Sequence, residues 1–332
     1  MSDAVEVTVV GDVYINRSDP ESATQNVSEE LNQGDILIGN LEGAISKEGE
    51  RVPFVAPWHR AHPNAVEGLN SAGFDILSLA NNHMMDYGDA ALMDTIDRLE
   101  DANIAYTGGG SSQQEAESPA IIERNGLSIG VLGVDATPQS ANYFSQAQPS
   151  SPGVHMMDVS PHYPETHVDH TDVDRLLTSI ESAKEKTDIL LILFHFGIGA
   201  TPTVPQKYLA KTAVDAGVDC VLGTNAHVLQ GATVYNSTPI LYGLSHFFWD
   251  PITSQYPNIK PFSKDTMLVR MSLTAAGVER VHLHPARLKN DNPVILSSDA
   301  EAFDRISTTL KNLSAREGTD LLEKEDRLEV PI

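Results

Sequence analysis

The sequence predicts an α/β fold, and three features of its hydrophobic pattern carry that reading. Short runs rich in Val, Ile and Leu alternate with helix-like segments along most of the chain. The early runs are apolar at nearly every position, as strands covered on both faces are. From Met267 onward apolar and polar residues alternate, as they do in antiparallel strands with one wet face.

Taken in order, strands are predicted over Val5–Val10, Asp35–Ile38, Phe74–Ala80, Ile104–Thr107, Leu127–Val134, Asp188–Phe194, Val218–Leu222, Ile240–Tyr242, Met267–Leu273 and Glu279–Leu283. Helices are predicted over Asn64–Ser71, Asp89–Asp101, Ser112–Glu117, Asp172–Glu185 and Gln206–Ala216. Pro63 ahead of the first helix and Gly73 just past it are start and stop chemistry. Ser112 followed by Glu115 reads as a capping box. Thr137 to His170, rich in Pro, Ser, Gln, Asp and His, breaks the rhythm and reads as an insertion or lid, because strand and helix alternation resumes directly after it. The charged stretch from Ser314 to Ile332 reads as a surface helix or loose tail.

Composition narrows the function classes. Among 332 residues, 46 are acidic and 22 basic, a formal net charge of −24. That field repels phosphate backbones and anionic bilayers, which excludes nucleic acid and membrane surfaces as general partners. Acid spread along the whole chain predicts a solvated surface adapted to high salt. Cys220 is the single cysteine, so there is neither an intrachain disulfide nor a four-cysteine zinc site. Any metal must therefore use His, Asp, Glu or Asn. The longest aliphatic or aromatic run, Ile189 to Phe194, falls far short of the roughly 20 residues a membrane-spanning helix needs. No basic segment followed by an apolar one precedes the first strand, and the expectation is a cytoplasmic protein without a membrane span.

The chemistry is expected just beyond the strands. Asp12 follows VTVVG, Asn40 and Glu42 follow ILIG, Asn81, Asn82 and His83 follow ILSLA, Asp135 follows IGVLGV, His195 follows ILLILF and His227 follows CVLGT. In an open α/β sheet the ligand crevice lies beyond the carboxyl ends of the strands, so these residues should converge although they are distant in sequence. Each has a plainer explanation as a helix cap, a turn residue or a satisfied core histidine. Those explanations would have to hold independently at six strand ends. A mixed nitrogen and oxygen set without thiolate suits Zn²⁺, Mn²⁺ or Fe²⁺. Such an ion lowers the pKa of water and polarises a phosphoryl or carbonyl oxygen. His59, Arg60 and His62 form a local group of potential cations, in which Arg60 is the natural clamp for a carboxylate or phosphate. Gly108 to Gly110 reads as a tight turn, no GxSxG elbow occurs, and Cys220 lies in a strand-like run, so serine and cysteine hydrolases are disfavoured.

The blocks GDVYINR, GNLEGAIS, FDILSLANNHMMDYGDAALMDTIDRL, IAYTGGG, IGVLGV, LILFHFG, AGVDCVLGTNAHVLQG and PILYGLSHFFWD resemble, in order, those of the CapA family of bacterial capsule and poly-γ-glutamate synthesis proteins. The resemblance runs from about Val5 to Asp250. That family is similar to the calcineurin-like metallophosphoesterases, so the resemblance implies a four-layer α/β/β/α sandwich holding one or two divalent ions (Mn, Zn or Fe). It implies that Asp12, Glu42, Asn82, His195 and His227 are metal ligands and that His83 assists the leaving group or substrate oxygen. Asn40, Asn81, Asp86, Asp135, Asn225 and His246 then stand around the ligands. Tyr14, Asn225, Gly199 and His246 depart from the family pattern, which predicts that one metal position is altered.

The expected organisation is one such domain over residues 1–290, with an insertion or lid at 137–170, and a helix with a charged tail over 291–332. The expected function is a metal-dependent hydrolase acting on a phosphoester or amide bond of a small acidic or phosphorylated substrate, with His83 as general acid and Arg60 orienting the substrate. The alternative is a non-catalytic accessory protein of capsule or poly-γ-glutamate synthesis that binds the polymer.

Overall fold

The computed structural model describes residues 4–53, 58–137, 145–160, 167–250 and 263–332. Two large sheets organise it. The first contains β1 (Val5–Tyr14), β2 (Ile36–Leu41), β3 (Ile76–Ser78) and β4 (Ala105–Thr107), and the second contains β5 (Ala120–Arg124), β6 (Leu127–Ala136), β7 (Ile189–Phe196), β8 (Cys220–Asn225), β9 (Ala232–Tyr235) and β10 (Thr238–Leu241). The chain then returns to the first sheet with β11 (His246–Trp249), β12 (Asp265–Thr274), β13 (Gly277–Lys289), β14 (Asn292–Ile295), β15 (Leu322–Glu323) and β16 (Leu328–Val330). Strand order in the first sheet is β15-β16-β13-β12-β1-β2-β3-β4, with β11 also pairing β1 and β14 pairing β13. The second sheet runs β9-β10-β8-β7-β6-β5.

The period of two in each strand divides the apolar side chains between three cores, and these define four layers. Val5, Val7, Val9, Ile36 and Ile38 face Ile129, Val131, Leu191, Leu193 and Leu222 in the core between the sheets. Val10, Val13, Leu37 and Leu41 face the other way, onto α1 (Ala65–Ala72) and α2 (Gly88–Asp101) through Leu69, Leu92 and Ile96. On the far side, Leu190, Ile192 and Phe194 pack against α3 (His170–Lys184) and α4 (Val204–Asp215) through Leu176, Ile180 and Leu209. This is why β1 and β7 read as unbroken apolar runs: both faces are covered. The fold is a four-layer α/β/β/α sandwich, as the resemblance implies. A fifth helix, α5 (Glu301–Arg316), adds Ile306 and Leu310 to the core between the sheets.

Central strands β1, β2, β3 and β4 are mutually parallel, as are β6, β7, β8 and β10. Their carboxyl ends therefore lie along one rim of each sheet. β12 and β13 are antiparallel, and both are long strands with alternating exposure along β13.

One segment differs from the sequence reading. Beyond Ser314 the chain is neither loose nor helical throughout: α5 ends at Arg316, and β15 and β16 close the edge of the first sheet with Leu328 and Val330 buried. Within 137–170, residues 138–144 and 161–166 lie outside the described residues. The part between them is joined to the body, with Gly153–Val154 pairing Gly109–Gly110 and Met156 bridged to Asp135. No helix among the described residues is long and apolar enough to cross a membrane.

Candidate metal centre

The carboxyl-end rims of the two sheets meet, and strand register places the polar residues there. Asp12 on β1 lies opposite Asn40 on β2 and His246 on β11. His195 on β7 lies opposite Asp135 on β6 and Thr224 on β8. Close pairing of β1 with the chain entering β11 needs Gly11: a Cβ there would stand 1.8 Å from the Ser245 carbonyl oxygen, which accepts the Asp12 N–H at 3.1 Å.

Among the described residues, two groups of side chains bring ligand atoms within 4.8 Å of one another: Asp12, Glu42 and His227, and Glu42, His59 and His83. In the first, His227 Nδ1 is 3.7 Å from Asp12 Oδ2 and its Nε2 is 3.8 Å from Glu42 Oε1. His195 Nδ1 stands 3.6 Å from Asp12 Oδ1. His195 is fixed from both ends, with Nδ1 2.9 Å from the Thr224 hydroxyl and Nε2 3.0 Å from Asn82 Oδ1. Asn40 Nδ2 donates to Asp12 Oδ1 at 2.9 Å, and Asn81 Nδ2 donates to the Leu41 carbonyl at 2.7 Å and to Asn40 Oδ1 at 3.3 Å. The Asn225 N–H donates to Asp12 Oδ2 at 3.2 Å, while its side-chain amide is turned away onto the Gly197 carbonyl. Asn225 and His227 both hold positive φ, +77° and +54°, so this loop carries conformational strain where the ligand atoms gather.

His83 Nδ1 lies 2.8 Å from Asp86 Oδ2, the same oxygen that accepts the backbone N–H of His59 at 2.8 Å. The His59 ring meets the His83 ring edge to face at 3.7 Å and packs against Tyr14 and Trp249. His246 is buried, its ring 6.1 Å from that of His227. Asp135 is buried and accepts the Thr137 N–H. Arg60 is not drawn into either group: its guanidinium lies over the Tyr87 ring, 3.8 Å from the centroid, and donates to the Glu48 carbonyl. The Gly199 carbonyl accepts from the Gln230 side-chain amide at 2.6 Å.

The electrostatics favour a cation. Burial pushes the Asp12 carboxyl up to about 6. Burial, and then the neighbouring Asp12 carboxylate, raises Glu42 well above the ordinary range. Burial raises Asp135 to about 6 as well. Burial also pushes His227 down to about 3 and His246 to about 4, and holds His195 and His59 well below their usual value. The imidazoles are thus neutral at pH 7, as ligands must be, while the carboxylates ionise at a cost that a bound cation would offset. Both oxygens of Glu42 are buried and receive no hydrogen bond, and both ring nitrogens of His59 are in the same state. Orphaned acceptors of these types, beside further carboxylate and imidazole, fit a divalent transition cation.

His59 is the residue whose position sequence reading did not supply. The sequence groups it with Arg60 and His62 as potential cations, yet His59 is buried, whereas Arg60 is half-buried with its guanidinium over Tyr87. The one available signal was the alternation of the HRAHP segment itself.

The chain is 26% identical to the capsule biosynthesis protein CapA of Bacillus anthracis, over all of this chain and 78% of that protein. It is 27% identical to the PGA biosynthesis protein CapA of Bacillus subtilis, over 90% of this chain and 75% of the other. A probable polyglutamine synthesis accessory protein of Mycobacterium tuberculosis is 24% identical, over 89% of this chain and 76% of its own length. The family model described as bacterial capsule synthesis protein PGA_cap matches residues 6–250, which contain every ligand atom described above, and the chain belongs to that family.

Proposed function

We propose that this protein is a metal-dependent hydrolase acting on a phosphoester or amide bond of a small acidic substrate. The observation that supports it is Glu42, a fully buried carboxylate facing Asp12, with no hydrogen-bond donor to either oxygen and neutral imidazoles around it. Two such carboxylates are costly to bury unless a cation holds them together. Asp12, Glu42 and His227 would hold the ion, with His195 and Asn82 completing the set. A bound divalent transition ion supplies Lewis acidity and lowers the pKa of water, the usual basis of hydrolysis at such sites. Asn40 and Asn81 orient Asp12 through a chain of amide hydrogen bonds, and Thr224 fixes the His195 ring. Arg60 and Arg17 are engaged with Tyr87 and Asp250, so an anionic substrate entering this acidic protein would be received chiefly by the cation.

Turnover of a generic phosphoester panel by metal-loaded protein tests the proposal. Activity should vanish with chelator and fall by a factor of 100 or more in His195→Ala, since loss of even an outer orienting contact costs about 10–100-fold. A folded, metal-loaded protein with no turnover across phosphoesters and amides would overturn it.

The names of the relatives favour a second reading, in which the protein binds polyglutamate as an accessory of polymer synthesis without cleaving it. A net charge of −24 opposes a polyanion, so that binding would depend on the cation. Divalent-dependent retention of polyglutamate by an inactive protein is its signature.

A further inference from the structure

We propose that a cleft on the outer face of the first sheet binds a carboxylate carried on a short aliphatic stem, held by Arg270 and His284. The cleft has a volume of about 320 Å³ and shares no residue with the two groups of the metal centre. It lies over β12 and β13, between the end of β14 and the short helix Ser28–Leu31. Register brings its two basic groups together. Arg270 on β12 lies opposite His282 on β13, and Leu268 lies opposite His284, so the period of two sets Arg270 and His284 diagonally on one face. Val269, Met271, Val281 and Leu283 take the other face and fill the core between the sheets.

The charge state of Arg270 carries the inference. Other basic groups of this region have carboxylate partners: Arg280 is 3.5 Å from Glu6, His282 is 3.5 Å from Glu329 and Arg327 is 2.6 Å from Asp326. Arg270 has no such partner among the described residues. Its terminal nitrogens donate to neutral oxygens, the Gln33 side-chain carbonyl at 2.5 Å and the Glu30 backbone carbonyl at 2.6 Å, and its Nε is buried without an acceptor. In a chain with 46 acidic residues, this half-buried guanidinium lacks a counter-charge, and burial lowers its pKa. A bound carboxylate supplies that charge, and its two oxygens match the planar fork of the guanidinium. Beside it, no hydrogen bond among the described residues engages the His284 ring. Burial, and then the Arg270 charge, push His284 down to about 4; Arg327 and His282 add to this and Asp326 opposes it. An anion between Arg270 and His284 therefore favours the protonated ring. Leu268, Ile295 and Leu296 line the apolar part of the cleft, which suits an aliphatic stem. Glu30 and Asp326 also line it and repel a second negative charge, which limits the ligand to one carboxylate.

The test is a titration of the full-length protein with two probes, butyrate and glutamate blocked at both ends as its acetyl and amide derivatives, read by ligand-observed NMR with and without chelator. Binding of butyrate alone assigns the cleft to a free small acid, and binding of the blocked glutamate assigns it to an acidic side chain of a peptide; either supports the site. Affinity should be the same with chelator present and fall about 10-fold or more in Arg270→Gln, which removes a charged hydrogen-bond donor. Succinate, with its second charge, should bind more weakly than butyrate. Affinity should rise as pH falls from about 7.5 to about 5.5 in wild type and stay flat in His284→Gln, because the bound anion draws a proton onto His284. Circular dichroism identifies a variant that fails to fold; should Arg270→Gln do so, His284→Gln and its pH profile decide. No saturable binding of either probe, binding unchanged in the folded variants, or binding lost with chelator would overturn the site and leave the reading of the metal centre untouched.

Discussion

Asp12→Asn in the metal-free protein gives the sharpest test of how the buried carboxylates are held. Burial raises the Asp12 pKa from 3.8 to about 6. A raised folded-state pKa means the folded protein binds the proton more tightly than the unfolded chain does. The associated stability is fully present below pH 3.8 and is lost as pH rises through about 6. At 1.36 kcal/mol per pH unit the full span is about 3 kcal/mol, of which about 2 kcal/mol is crossed between pH 4.5 and 7.5. Asp12 is completely buried, so solvent screening takes little from this figure. Urea unfolding of chelator-treated wild type and Asp12→Asn at the two pH values reads the Asp12 charge together with its effect on Glu42, because the general repulsion of an acidic chain is common to both. Wild type should lose about 2 kcal/mol more than the variant on going to pH 7.5. Equal losses in the two proteins would show that Asp12 ionises without penalty, and the argument that the site demands a cation would fail with it.

Other expectations can be checked alongside. Gly11→Ala places a methyl group 1.8 Å from the Ser245 carbonyl oxygen and should cost on the order of 3 kcal/mol in urea unfolding, with weakened metal uptake, because β1 and β11 are forced apart beside Asp12. Arg60→Ala should leave cation stoichiometry untouched and lower stability by less than about 1 kcal/mol, the worth of an exposed cation–π contact; loss of a metal equivalent would contradict the placement of its guanidinium over Tyr87. A thermal melt repeated from dilute buffer to molar KCl should show stability rising with salt as the self-repulsion of a −24 chain is screened, whereas a flat response would refute a salt-adapted surface.

Much of the fold was legible because its central strands are buried on both faces and so appear as unbroken apolar runs. The polar residue that ends each run then stands out, His195 after six aliphatic and aromatic residues above all. Register does the rest, setting Asp12 against Asn40 and His195 against Asp135 and Thr224. Short elements escaped. The four-residue strand His246–Trp249 and the two-residue strand Arg60–Ala61 offer no period to read, and both owe their existence to partners distant in sequence, Asp12 to Tyr14 and Ala44–Ile45. His59 was lost for that reason, and Arg60 was credited with a role beside the site when its guanidinium lies over Tyr87. The terminal strands were missed because charge masks their pattern: in Leu328–Val330 the two buried apolar residues flank a glutamate, one strand in from the sheet edge.

Anomalous diffraction from crystals soaked in Mn²⁺ tests the central claim most directly. The account predicts a peak within bonding distance of a Glu42 carboxylate oxygen, bounded by Asp12 and His227, where the rims of the two sheets meet. Saturating Mn²⁺ with no peak at Glu42, in crystals that diffract well enough to place its side chain, would contradict it.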